Sequence, residues 1–154
     1  MTGTPPTLPA IMDDVLRDEL TRIYRDTRTI AVVGASADEA KAAHRIPRYL
    51  QQQGYRIRPV NPRGGELFGE PVATSLAEVE GPVDVIDVFR PAAEAADIAR
   101  QAVRIGAKVL WLQLGIADDE ARRIAEDAGL TVVMDRCMGA THQELGLGPV
   151  TAPA

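Results

Sequence analysis

The sequence predicts an α/β domain, a doubly wound sheet of five mainly parallel strands with helices on both faces and one further helix at the N-terminus. Three observations predict it. Five short runs are rich in Val, Ile and Leu, and helical patterns stand between most of them. Each of those helical patterns closes on a glycine, the residue suited to the left-handed position just past a helix end. Such alternation implies right-handed crossovers and a parallel sheet covered on both sides.

Residues 1–9, rich in Thr and Pro, read as a flexible lead and residues 151–154 as a flexible tail, leaving 10–150 as a single domain. Ile11, Val15, Leu16, Leu20 and Ile23 then recur at helical spacing, with Asp13 and Asp14 near the start, where the helix dipole favours acids. The first strand is "TIAVVG" (29–34), followed by the helical "AHRIPRYLQQQ" before Gly54. The second is "YRIRPVN" (55–61), which runs into a Pro- and Gly-rich stretch, 59–71, and a weak two-turn segment, "SLAEVEG" (75–81). Strand three, "VDVIDVF" (83–89), leads into "PAAEAADIARQAVRIG", closed by Gly106. Strand four, "KVLWLQLG" (108–115), precedes "ADDEARRIAEDAG", closed by Gly129, and "TVVMDRC" (131–137) is the fifth.

Composition narrows the function classes. The chain of 154 residues is 45% hydrophobic and 25% charged, as in ordinary soluble globular proteins. A net charge of -5, with 17 Lys and Arg scattered among 22 acids, argues against a nucleic-acid partner, which needs a clustered basic face. The single cysteine, Cys137, excludes an intrachain disulfide and a cysteine zinc cage. No run of 18 apolar residues and no signal-like segment is present, so no membrane partner and a cytoplasmic location are expected.

In an open sheet of this kind, ligands bind at the carboxyl ends of the strands, where strand order reverses. At the first end, Gly34 permits a tight turn and Ser36 offers a hydroxyl to a phosphate; the alternative is a plain strand-to-helix turn. A dinucleotide fingerprint would need three glycines, and Ser36 and Glu39 stand in place of two. Arg45 opens the next helix and faces the same region, and neighbouring His44 reads as a partly buried residue. At the second end, "VNPRGG" lacks the acid that an NAD site uses on the ribose. Asn61 suits a hydroxyl or an adenine edge, and Arg63 suits a phosphate monoester such as that of coenzyme A or NADP; a solvated arginine in a turn is the alternative. At the third end, Phe89 and Arg90 precede Pro91, at the favoured first helical position. They suit the flank of a purine or a pantetheine arm, or Arg90 pairs with Asp84 or Asp87. Gln113, near the fourth end, faces a ligand, whereas Trp111 belongs to the core. At the fifth, Cys137 and His142 suggest a thiolate and base, against the commoner reading of a small core cysteine.

Taken together, "VVGAS", "YLQQQGYRIRPVNPRGGELFGEPVATSL", "VDVIDVFRP", "WLQLGI" and "DRCM…H" resemble the small stand-alone CoA-binding domain proteins, over about residues 11–147. The resemblance implies a Rossmann-like fold, similar to the N-terminal domain of the succinyl-CoA synthetase alpha subunit. It implies that Gly34, Ala35 and Ser36 cradle phosphates and that Arg63, in the loop with Asn61 and Pro62, is the basic CoA contact. Phe89, Arg90 and Pro91 would line the nucleotide pocket, with Leu112, Gln113 and Leu114 near the pantetheine arm. Thr141 stands where the family commonly has a Glu before the histidine, and Ala37 where a basic residue often follows "GAS", so that Arg45 or Lys41 would substitute.

The functional expectation is therefore a non-catalytic protein that binds CoA or acyl-CoA and needs no metal. Alternatives are an NADP-dependent or Cys137 thiol-based acyl-handling enzyme, or a CoA-binding module served by a separate catalytic partner. Self-association as a homo-oligomer is left open.

Overall fold

The computed structural model describes residues 12–150; the lead at 1–9, Ile11 and the tail at 151–154 lie outside the described residues. The first helix, α1 (Asp14–Asp26), is capped by Asp13, whose carboxylate accepts the Leu16 N–H at 2.8 Å. Leu20 and Tyr24 are its buried residues, with Leu16 and Ile23 packed beside them. Val15 departs from the expected apolar face: it is 70% exposed, about a quarter turn from the Leu16–Leu20–Tyr24 stripe.

The main sheet comprises β1 (Thr29–Val33), β2 (Arg56–Val60), β5 (Val85–Val88), β6 (Val109–Leu112) and β7 (Thr131–Val133). Their order is β2-β1-β5-β6-β7 and every pairing is parallel. Helices α2 (Ala42–Gln52), α3 (Ala95–Arg104) and α4 (Asp119–Asp127) provide crossovers. Between β2 and β5 the chain forms a short antiparallel hairpin, β3 (Glu66–Leu67) and β4 (Glu70–Pro71), and then a single 3-10 turn, Leu76–Glu78, in place of the expected two-turn helix. Ala73 makes one parallel bridge to Val60, so the sheet extends beyond β2 by a single residue. The architecture is an α/β Rossmann-like fold, with its reversal of strand order between β1 and β5.

Side-chain alternation along the strands divides the core in two. Ile30, Val32, Val85, Val109 and Trp111 pack under α1, α2 and the last helix, α5 (Met138–Leu145). Ala31, Ile86, Val88, Leu110 and Leu112 pack under α3 and α4. Trp111 is fully buried, as expected of a core residue, and its indole N–H donates to the Arg136 carbonyl at 2.7 Å.

The strands are shorter than the apolar runs. The fifth run leaves the sheet after Val133, because Asp135 adopts a positive φ of 56° and accepts the Gly115 N–H at 2.6 Å, closing a turn that feeds α5. Helix α5 stands where the sequence predicts only a strand end. Among the described residues no helix is long and apolar enough to cross a membrane.

Candidate functional site

Loops leaving β1, β2 and β5 converge on a cleft of about 980 Å³ beside the reversal of strand order, within the range of small-molecule sites. Gly34, Ala35, Ser36, Asn61, Pro62, Arg63, Phe89 and Arg90 all line it. Arg45, Pro91 and Gln113 do not. Arg45 is exposed on α2, and Lys41, just ahead of that helix, lines the cleft instead. Pro91 caps the 3-10 turn Ala92–Glu94, so that the long helix begins only at Ala95.

Gln113 is turned away because the strand pleat points it to the α5 face. Its amide donates to Asp87 Oδ1 at 2.5 Å and its oxygen accepts the Met138 N–H at 3.4 Å. Asp87 is wholly buried, and burial pushes its carboxyl up to about 7, the Gln113 hydrogen bond opposing only part of that rise. The second oxygen of Asp87 has no hydrogen-bond partner among the described residues.

Gly34 turns at φ 90°, a conformation that side chains rarely adopt. A Cβ there would also lie 2.9 Å from Arg90 Cδ, so the glycine makes room for the arginine stem. The Arg90 guanidinium pairs with Glu94, at 2.7 Å, and neither Asp84 nor Asp87 is its partner. Asp84 instead accepts the Arg28 and Thr29 N–H groups and lies 3.7 Å from Lys108 Nζ.

Asn61 links two of the loops. Its amide donates to the Ala35 carbonyl at 2.7 Å and its oxygen accepts the Arg63 N–H at 2.8 Å. Most of its hydrogen-bonding capacity is thus engaged within the protein, which makes it a brace between the β1 and β2 turns. Arg63 is exposed, and neither it nor Lys41 forms an ion pair among the described residues. Among the described residues, Arg63 and Lys41 are thus without an ion-pair partner at the cleft, while Glu94 pairs with Arg90.

Ser36 is held from three directions. Its N–H donates to the Ala43 carbonyl at 3.2 Å, its carbonyl accepts from His44 Nδ1 at 2.7 Å, and its hydroxyl oxygen accepts the Asp38 N–H at 3.0 Å. The hydroxyl hydrogen stays available as a donor. Helix α2 starts at Ala42 beside this turn with no side chain capping it, so its first backbone N–H groups add positive potential at the cleft. The sequence reading missed this support, although Pro47, four residues after Ala43, was a visible signal. A proline has no N–H, so the Ala43 carbonyl is left for Ser36.

Cys137 and His142 do not form a pair. Cys137 Sγ accepts the Ala140 N–H at 3.4 Å as the cap of α5. His142 is buried, with Nδ1 2.8 Å from the Tyr49 hydroxyl and Tyr24, Tyr49 and Tyr55 packed edge-on around its ring. Burial lowers its pKa from the ordinary histidine value. Among the described residues no group of three or more His, Cys, Asp or Glu side chains is placed to hold a metal.

The fold and its cleft thus define an α/β Rossmann-like domain with a cleft at the carboxyl ends of β1, β2 and β5, beside the start of α2. The CoA binding domain family matches residues 28–143, and the chain belongs to that family. It is 34% identical over 131 residues to YneT, an uncharacterised protein of Bacillus subtilis, covering 85% of this chain and 97% of that one. A solved structure from Thermus thermophilus, cell-free ID.343, superimposes with a TM-score of 0.81 at 43% identity, over 84% of this chain and 98% of the other. The chain is also 28% identical over 141 residues to the alpha subunit of acetate–CoA ligase (ADP-forming) II of Pyrococcus furiosus. That match covers 83% of this chain and 31% of the subunit.

Proposed function

We infer that the protein binds CoA or a short acyl-CoA in the cleft at the carboxyl ends of β1, β2 and β5, without transforming it alone. The observation that carries this is the pairing of two features on one cleft: the Gly34–Ser36 turn at an uncapped helix start, and Arg63, which has no ion-pair partner among the described residues. The turn suits a diphosphate, through backbone N–H groups and the Ser36 hydroxyl. Arg63 suits a phosphate monoester, the group on the 3′ position of CoA. Phe89 and the Arg90 stem supply an apolar wall for the adenosine. Membership of the CoA-binding domain family supports the same ligand.

Calorimetric titration with CoA, with NAD and NADP as controls, tests this. Saturating CoA at a hundred times its Kd is expected to stabilise the fold by about 2.7 kcal/mol, with smaller effects from the dinucleotides. No response to millimolar CoA overturns the reading, and a stronger response to NADP transfers the Arg63 role to a 2′-phosphate.

A module served by a separate catalytic partner is favoured by one finding: the chain matches 31% of a subunit named as part of an acetate–CoA ligase. Co-purification with a second enzyme component is the expected outcome of that arrangement, and a protein that isolates alone with full cellular activity excludes it.

A further inference from the structure

We propose that His44 is a positioning residue, which orients the Ser36–Ala37 peptide so that the Ala37 N–H faces the cleft as a donor to the ligand's diphosphate. This rests on the CoA reading above but concerns a residue that never touches the ligand.

The geometry begins with one peptide unit. In a trans peptide the C=O of one residue and the N–H of the next point in opposite directions. The Ser36 carbonyl points inward to His44 Nδ1, 2.7 Å away. A carbonyl only accepts, so Nδ1 carries the hydrogen. The Ala37 N–H therefore points the other way, and it has no hydrogen-bond partner among the described residues. Ala37 lines the cleft.

The rest of the surroundings keep the histidine in place. Its ring is buried, 8% exposed, and lies 5.0 Å, centroid to centroid, from the ring of Phe68 at the tip of the β3–β4 hairpin. Phe68 stands at φ 57°, where a bulky side chain is strained, and its carbonyl accepts the Gln51 amide at 2.8 Å. His44 Nε2 is buried with no partner among the described residues, so the ring's one hydrogen bond among them is the one to the turn. The other side of Ser36 is fixed by the Ala43 carbonyl that Pro47 leaves free. Consecutive residues of α2 thus grip both backbone groups of Ser36, and the free N–H next in the chain is the result.

The test uses the full-length chain and three variants, with CoA and adenosine 3′-monophosphate as ligands. The monophosphate keeps the base and the 3′-phosphate but lacks the diphosphate. His44→Leu is expected to weaken CoA roughly tenfold, the worth of about one charge-assisted hydrogen bond, while changing the monophosphate less than twofold. His44→Asn, which retains an N–H near the Nδ1 position, is expected to recover most of the loss. Pro47→Ala restores a competing donor to Ala43 and is expected to weaken CoA several-fold with α2 still formed, so the proposal does not depend on His44→Leu folding.

In ¹⁵N–¹H spectra the Ala37 amide is expected to shift when inorganic pyrophosphate is added to the wild type and to His44→Asn, but not to His44→Leu. Equal CoA affinity across the folded variants, or equal weakening of both nucleotides, overturns the assignment. A wild type that ignores CoA while Ala37 still responds to pyrophosphate removes the CoA reading and leaves His44 in its role. An Ala37 amide silent to both ligands removes that role.

Discussion

Gly34 and Arg90 occupy complementary space: the hydrogen that stands for a side chain at Gly34 leaves a gap through which the Arg90 stem crosses the first turn, 2.9 Å from where a Cβ would lie. Two strand ends are locked together by what one residue lacks. Gly34→Ala is therefore expected to act on both fold and cleft. The positive φ alone costs about 1–3 kcal/mol, and displacing Arg90 reshapes the wall beside the turn. A lower unfolding midpoint in urea together with weakened CoA binding is the expected pair of results.

Arg63 separates the two phosphate sites. Since it has no partner among the described residues, its removal leaves no buried acid behind and the fold is expected to persist. Arg63→Ala is expected to weaken CoA about tenfold and dephospho-CoA less than twofold. Equal losses in paired titrations exclude contact with the 3′-phosphate.

Asp87 gives the protein a pH-dependent stability. In the unfolded chain its carboxyl has the ordinary value of 3.8, whereas burial in the folded protein raises it to about 7. Between these values the folded state holds a proton that the unfolded chain releases. Its contribution is therefore fully present below about 4, is lost as pH rises through about 7, and is constant above that. Across this window the span is about 4 kcal/mol. Asp87→Asn keeps an acceptor for Gln113 and removes the titration, so urea unfolding from pH 4 to 8 is expected to show a flatter profile than the wild type.

Cys137 serves as a weak helix cap. A serine at the same place accepts the Ala140 N–H through oxygen, and serine is among the preferred residues there. Cys137→Ser is expected to raise stability by about 0.5–1 kcal/mol and to leave CoA affinity unchanged. A loss of CoA binding in that variant would revive a thiol role.

The five strands were legible because each lies in a short run rich in Val, Ile and Leu, and the helices because their apolar spacing closes on Gly54, Gly106 and Gly129. Helix α5 was not legible, because its buried positions include Gly139, Thr141 and His142, which form no apolar stripe. Gly139 is there because Ile46 and Tyr49 of α2 approach it closely, a fact of tertiary packing alone. The hairpin escaped because strands of two residues carry no alternation. The rule that ligands meet strand ends points to the β1, β2 and β5 loops, which the structure brings together at one cleft. Gln113 lies off that cleft, because just past the end of β6 the pleat turns it towards Asp87. The rule passes over His44 and Pro47, which act on the turn through its backbone.

The one-residue bridge at Ala73 bears on how copies of this chain can associate. Beyond β2 the bridge engages the Pro59 carbonyl and the Asn61 N–H, and Pro59 has no N–H of its own to offer along that border. A border with a missing donor is a poor template for another strand. The opposite border, β7, is three residues long. Self-assembly by extending the sheet from one molecule into the next is thus disfavoured at both borders.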